Sequence, residues 1–265
     1  MKVATLNINS INARLDNLCE WLKQNQPDVL LLQEIKCEFN NFPFFDLQMN
    51  GYEAKILGQK SYNGVAVLSK HKITVRTENI PDFADENSRY LECETTVNGQ
   101  NYIFSSLYLP NGNPPYNNPD DISKFEYKLK WMDAFIKHTE KLLINNRNII
   151  LGGDFNVIMS EQDVYNPQEF IGNALYRPEV QNRLRYLTRK GWCDTYRTLY
   201  PQKHGYTFWD YTGAAFINDL GMRIDYILSS PALTDRLIAC KADNDFRKKE
   251  KSSDHTVLIA EFKDL

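Results

Sequence analysis

Asp154 and Asn156 stand at the end of the apolar run Ile149-Ile150-Leu151-Gly152-Gly153, with one phenylalanine between them. In an extended chain residues i and i+2 share a side, so a carboxylate and a carboxamide face one site. The pairing suits a proton-transferring carboxylate beside a hydrogen-bond donor for a developing oxyanion. Taken alone, the run is explained equally well by a strand-to-loop turn built from Gly and Asn. The same pattern recurs along the chain. Asn7 lies inside Thr5-Leu6-Asn7-Ile8-Asn9, and Glu34 ends Leu30-Leu31-Leu32-Gln33. Tyr108 lies near the end of Ile103 to Leu109, Asp225 interrupts Arg223-Ile224-Tyr226-Ile227-Leu228, and Asp254-His255 precede Thr256-Val257-Leu258-Ile259.

Each instance also has an ordinary explanation: Glu34 as a cap, Asp225 as a partner of Arg223, His255 as a satisfied core histidine. Charged groups set against apolar runs are costly unless they are paired or bind a metal. Strand ends of a layered fold gather at one edge, so together these residues predict an acidic, amide-rich cleft. The chemistry that fits is hydrolysis of a phosphate ester assisted by a hard divalent cation. Oxygen donors from Glu34, the Asn7 amide and Asp254 suit Mg²⁺, with Mn²⁺ as a substitute. Such an ion polarises a phosphoryl oxygen and stabilises the leaving group. His255 and Asn156 are expected to donate hydrogen bonds to the developing charge, and Asp154 to orient or deprotonate water. No GxxxxGK[ST], GxSxG or HExxH motif occurs, which disfavours Walker-type nucleotide use, esterases and zinc peptidases.

The elements that position these residues follow from periodicity. Strands are expected over 2–8, 29–33, 63–69, 90–97, 101–109 and 148–152, then near 205–209, 223–228 and 256–262. Asn98-Gly99 is a hairpin turn. Helices are expected over 11–25, 121–144 and 178–190. The long one is capped by Asp120 or Asp121, with Ile122, Phe125, Leu129, Met132, Phe135 and Ile136 as its apolar stripe. Pro110 to Pro119 reads as an ordered surface loop. Many strands with few helices imply two packed sheets with helices on the outer faces. The two halves resemble each other faintly, too little to be read as a repeat.

The 265 residues carry no linker or low-complexity tract, so one domain spanning 1–265 is expected. Hydrophobic and charged contents of 42% and 25% are ordinary for a globular protein. The net charge of −3 argues against nucleic-acid binding through global basicity but leaves room for a local basic face. Five cysteines, none in a CxxC pair, point to reduced thiols. The N-terminus runs directly into a strand, and no apolar run approaches the length of a membrane helix. A cytoplasmic, monomeric protein without membrane contact is expected.

The runs TLNIN (5–9), LLQEIK (31–36), YNGVAVLSK (62–70), YLPNG (108–112), GGDFNV (152–157), YTFWDY (206–211), RIDYIL (223–228) and SDHTVL (253–258) occur in this order from end to end. In this the chain resembles the exonuclease III family of apurinic/apyrimidinic endonucleases, within the endonuclease/exonuclease/phosphatase superfamily. The resemblance implies an α/β fold, a four-layered α/β sandwich of two packed, mostly antiparallel β-sheets flanked by helices. It implies Mg²⁺-dependent incision of double-stranded DNA 5′ to abasic sites, often with 3′-to-5′ exonuclease action and 3′-phosphodiesterase action on blocked 3′ ends. Glu34 then resembles the central metal ligand, supported by Asn7 and Asp254, and Asp154, Asn156 and His255 complete the candidate metal shell. Asp154 resembles the water-activating residue, Tyr108 the tyrosine near the scissile phosphate, and Asn156 and His255 phosphate contacts. Asp225 resembles the carboxylate that orients His255.

Phe208, Trp209 and Ile224 resemble the apolar wall that receives a flipped abasic sugar, for which extrusion costs least. Trp209 alone is equally well read as core. Met222 stands where some relatives carry a tryptophan, and Ser10 where glycine is usual. Lys60, Tyr62, Asn63, Arg89, Arg177 and the run Arg247-Lys248-Lys249-Glu250-Lys251 are candidates for phosphate contact, which carries no sequence information. The alternatives are a superfamily phosphatase or phospholipase acting on inositol phosphates or sphingomyelin, and a catalytically silent nucleic-acid-binding protein.

Overall fold

A computed structural model describes residues 1–113, 122–145 and 148–264. Twelve strands form two six-stranded sheets. The first sheet contains β1 (Lys2–Asn7), β2 (Val29–Gln33), β3 (Glu53–Leu57), β4 (Val65–Ser69), β11 (Leu237–Asp243) and β12 (Val257–Phe262), in the order β11-β12-β1-β2-β4-β3. The second contains β5 (Ile73–Glu78), β6 (Tyr90–Val97), β7 (Gln100–Tyr108), β8 (Ile149–Asp154), β9 (Cys193–Asp194) and β10 (Asp225–Ser229), in the order β5-β6-β7-β8-β10-β9. The helices are α1 (Leu15–Asn25), α2 (Phe44–Met49), α3 (Ile122–Asn145), α4 (Pro178–Arg189), α5 (Thr195–Leu199), α6 (Pro231–Thr234) and α7 (Asn244–Arg247). Among the described residues, only β1–β2 and β7–β8 pair in parallel. They are also the pairs joined across a long helix, α1 or α3, as a parallel crossover requires. Each sheet is therefore a copy of one topology, and the faint likeness of the halves is a repeat of connectivity.

The inner faces of both sheets form one core, where Val3, Leu31 and Val67 share a cluster with Phe104, Ile150 and Ile227. The outer face of the second sheet packs on α3 and α4 through Phe135, Leu184 and Tyr226. That of the first packs on α1, α2 and α7 through Trp21, Leu47 and Phe246. This is the four-layered sandwich. Wholly buried β2 and β4 read as unbroken apolar runs because both faces are covered. No helix among the described residues is long and apolar enough to cross a membrane, and all five cysteines are unpaired.

Several expectations need correction. The first helix starts at Leu15, four residues late, because Ser10 and Ile11 donate backbone hydrogen bonds to Glu34 and Ile35 and hold the chain in a turn. Around 205–209 there is no strand, only bridges from Phe208 to Met222 and to His255. The strand expected at 223 begins at Asp225. Ile122 is 49% exposed and leaves the α3 stripe. The capping aspartates and most of the Pro110–Pro119 loop lie outside the described residues. Sequence periodicity missed the four edge strands: β3, β5 and β11 are partly exposed and alternate weakly, and β9 is two residues long.

Candidate active site

The parallel pairs β1–β2 and β7–β8 end at the same edge of the sandwich, where antiparallel β10 and β12 begin. Pairing sets the side chains in register: Tyr108 lies opposite Asp154, and Asp154 opposite Asp225. Directly beneath, Gln33 donates to Ser106 Oγ at 3.0 Å, Ser106 Oγ donates to Leu32 O at 2.8 Å, and Thr5 Oγ1 donates to Gln33 Oε1 at 3.2 Å. This fully buried trio links the two sheets across the floor of the site, and buried polar groups so satisfied fix one arrangement. Gly153 is required by close approach, since a Cβ there would sit 1.9 Å from Leu107 O.

Asn7 joins the sheets at the site itself. Its Nδ2 donates to Glu34 Oε1 at 2.8 Å and to Asp154 Oδ2 at 2.9 Å, while its Oδ1 accepts the Asn9 N–H. Lys36 Nζ lies 2.7 Å from Glu34 Oε2 and donates to Asn9 Oδ1 at 2.6 Å. Asn9 Nδ2 in turn donates to Asp254 Oδ1 at 3.1 Å. On the other side, His255 Nδ1 donates to Asp225 Oδ2 at 2.8 Å, which turns Nε2 toward Asp154 Oδ2, 3.8 Å away. The Asp225 partner is therefore His255. Arg223 instead pairs with Asp163 at 2.7 Å and Asp194 at 2.8 Å.

These contacts set the charges. Burial works against the charged form of His255, but Asp225, then Asp154 and Asp254, overcome it and lift the imidazole to about 10. Burial raises Asp154 to about 7, aided by Asp225 and opposed by His255. Burial also pushes on Glu34, yet hydrogen bonds from Asn7 and Lys36 and the charge of His255 hold it below its ordinary value. Tyr108 is pushed well above 10, first by burial and then by Glu34 and Asp154. The cleft thus holds an ionised glutamate, a protonated histidine, a phenol that keeps its proton and a carboxyl group poised near neutrality.

Asn156 departs from the expected geometry. The strand ends at Asp154, and Asn156 takes a φ of +48°, so period-2 spacing does not carry across. A turn unites the pair instead: Asn156 N donates to Asp154 Oδ1 at 2.9 Å. Its Nδ2 donates to Leu109 O at 2.9 Å and its Oδ1 accepts from Asn111 Nδ2 at 3.2 Å. Both faces of the carboxamide are engaged within the protein.

Of the wall residues, Phe208 stacks edge-on to the His255 ring at 4.9 Å and pairs with Met222, both half-buried, while Ile224 lies behind them, buried. Trp209 is 1% exposed and packs with Tyr206, Ala215 and Phe216, bonded to Asp219, so the core reading holds. Lys60 and Tyr62 are exposed, whereas Asn63 is buried and its amide donates to Gln59 and Asn87, shaping the loop. Arg89 lies over the Tyr108 ring at 4.9 Å and donates to Tyr108 O. Arg177 covers Phe125 and pairs with Glu179. In the basic run, Lys248 and Lys249 pair with Asp245 and Glu20, and Arg247 braces the Trp209 carbonyl. Sequence reasoning missed Lys36, Asn9, Asn111 and Lys128 as parts of this site. Lys128 could have been found: it falls in register with Phe125, Met132 and Phe135 on the buried stripe of α3, where a charge is out of place.

Four carboxylates, Glu34, Asp154, Asp225 and Asp254, gather around His255 and Lys36, and Asp225 Oδ1 is buried without a partner. This donor set fits a hard divalent cation. Asp154, Asp225 and His255 present ligand atoms within 4.8 Å of one another. Within that triplet His255 Nδ1 donates to Asp225, while its Nε2 faces Asp154 Oδ2 across 3.8 Å.

Residues 4–255 match the endonuclease/exonuclease/phosphatase family. The chain is 32% identical over 271 residues to an exodeoxyribonuclease III of Haemophilus influenzae, covering 99% of this chain and 100% of that protein. Among solved structures, a Neisseria 3′ phosphatase bound to a product DNA hairpin superposes with a TM-score of 0.90 at 33% identity, covering 99% of both chains. An AP endonuclease from Archaeoglobus fulgidus superposes with a TM-score of 0.88 at 31% identity, again over 99% of both. With its two-sheet sandwich and converging strand-end carboxylates, the chain belongs to the endonuclease/exonuclease/phosphatase family.

Proposed function

We propose that the protein is a divalent-metal-dependent DNA-repair phosphodiesterase that incises duplex DNA 5′ to abasic sites and trims blocked or damaged 3′ ends. The observation that carries this reading is the Asn7 amide bridging Glu34 and Asp154, with the Asp225–His255 pair aimed at the same Asp154 oxygen. Glu34, with Asn7 and Asp254, would hold the cation, Mg²⁺ by the hardness of the donors, which supplies Lewis-acid polarisation of the phosphate and charge stabilisation at the leaving oxygen. Asp154, raised toward neutrality, takes the proton of the attacking water. His255, held protonated, donates from Nε2 to a non-bridging phosphate oxygen, and Asp225 fixes the ring's orientation through Nδ1 and supports its charge. Tyr108, still a phenol at neutral pH, donates a further hydrogen bond. Asn156 keeps the Asp154 turn in shape, with its carboxamide set by Leu109 and Asn111.

Phe208 and Met222 form the apolar wall against His255, and a wall without base-edge donors suits a sugar that has lost its base. Lys60, Tyr62, Arg89 and Arg177 would meet phosphates around the cleft. Likeness to the Neisseria 3′ phosphatase favours 3′-end processing as the second activity of the same cleft. Two duplexes test the proposal side by side in Mg²⁺: one with an internal tetrahydrofuran abasic analogue, one with a recessed 3′-phosphate. Processing of either supports phosphodiesterase or phosphatase action on DNA and ranks the two activities. Inertness toward both, with release of phosphate from inositol phosphates, would replace the proposal with a small-molecule phosphatase.

A further inference from the structure

Lys128 is wholly buried in α3, yet no carboxylate pairs with it among the described residues. Burial lowers its pKa to about 7 against the pull of Asp154, and its Nζ lies within donating distance of three backbone carbonyls that favour the protonated form, Asn111 O at 2.9 Å, Asn156 O at 2.6 Å and Ala174 O at 3.1 Å. The three belong to three different loops: the one leaving β7, the one leaving β8 and the one entering α4. An ammonium is the side-chain group that offers three donors from a single atom, whereas a buried water has two and a guanidinium spreads its own across a plane. The loop is built down onto the lysine stem, since a Cβ on Gly112 would lie 2.8 Å from Lys128 Cδ. Only one residue separates this ammonium from the catalytic carboxylate. Lys128 holds the Asn156 carbonyl, and the Asn156 N–H holds Asp154 Oδ1. Asn111, pinned by its carbonyl, places its amide on Asn156 Oδ1.

We propose that Lys128 is a positioning residue that clamps the three loops beneath the cleft and so presets Asn156 and the Asp154 carboxylate for attack on the phosphate. The inference rests on the phosphodiesterase reading above, and its test separates the two. Single-turnover cleavage of the abasic-analogue duplex in Mg²⁺ is compared for wild type, Lys128→Gln and Lys128→Met. Single-turnover rate constants report the folded fraction alone, so partial unfolding lowers amplitude and leaves the constant unchanged. The expected result is a fall in rate constant of about 10- to 100-fold for Lys128→Met, a smaller fall for Lys128→Gln, which retains two donors, and DNA affinity in EDTA within about threefold of wild type, because the clamp acts on transition-state geometry. A rate constant within about threefold of wild type in Lys128→Met would overturn the clamp while leaving the phosphodiesterase reading intact. Wild-type inertness toward this duplex and toward the recessed 3′-phosphate duplex would instead sink the reading on which the clamp rests. Amide hydrogen exchange needs no activity and tests the clamp in either case, with Lys128→Gln as the gentler variant. Faster exchange in both variants confined to 109–113, 155–158 and 173–176 is expected. Unchanged exchange in these segments refutes the clamp.

Discussion

Replacing Asp225 by asparagine should collapse the alkaline side of the pH–rate profile. The substituted carboxamide keeps the size of the side chain and can still accept the His255 Nδ1–H, so the imidazole stays oriented and only the charge is lost. In the wild type burial disfavours the charged imidazole, but Asp225, 2.8 Å away, with Asp154 and Asp254, overcomes it and lifts the group to about 10. Among the groups that favour the charged form, Asp225 comes first, through both its charge and its hydrogen bond, ahead of Asp154 and Asp254. Without Asp225, burial opposes charging with Asp154 and Asp254 against it, and the imidazole becomes less basic. Each pH unit by which the imidazole falls below the assay pH costs about tenfold in its protonated form, so a loss of rate of order tenfold is expected at pH 8. Stability follows the same linkage. A histidine more basic folded than unfolded contributes fully below pH ~6.5 and loses that contribution as pH rises toward ~10. The stability gap between wild type and Asp225→Asn should therefore narrow from pH 6 to pH 10. Single-turnover cleavage and urea unfolding across that range measure both. A variant profile superimposable on wild type at pH 8, or a gap that widens with pH, would refute the reasoning.

Three further outcomes are expected. Asp154→Asn abolishes cleavage while DNA binding in EDTA persists, and its stability relative to wild type rises as pH climbs from about 4 to about 7, because burial makes the Asp154 carboxylate costly once ionised; retained turnover would remove Asp154 from its role. Ser10 holds a φ of +86°, in the left-handed region that favours glycine. Ser10→Gly should raise stability by about 1 kcal/mol and the melting temperature by about 2–4 °C, checked by calorimetry. If Lys60, Arg89 and Arg177 each neutralise one phosphate, duplex affinity falls about 40-fold between 50 and 200 mM salt, and a flat response in fluorescence anisotropy would contradict phosphate-dominated recognition.

Most of the site was legible because it is written at strand ends. Glu34, Asp154, Asp225 and His255 each adjoin a run too apolar to tolerate an idle charge, and the sandwich brings those ends to one edge. What stayed hidden depends on contacts between distant segments. Period-2 spacing predicted that Asn156 would stand beside Asp154, but the left-handed turn at Asn156 redirects its carboxamide to Leu109. Local sequence suggested Arg223 as the Asp225 partner. The alternation of a strand sends i and i+2 the same way, yet Arg223 lies before β10 begins and turns to Asp163 and Asp194. Lys248 and Lys249 looked like a free basic patch until α1 supplied Glu20 and α7 supplied Asp245. The edge strands were missed because half-exposed strands lack a strong apolar period.

The central claim is metal-dependent cleavage of damaged duplex DNA in the cleft at Asp154. A duplex oligonucleotide carrying a single tetrahydrofuran abasic analogue, incubated with the protein in Mg²⁺ and in EDTA, tests it most directly. The account predicts a single nick 5′ to the analogue in Mg²⁺ and none in EDTA. An intact strand under both Mg²⁺ and Mn²⁺, or an equal nick in EDTA, would contradict it.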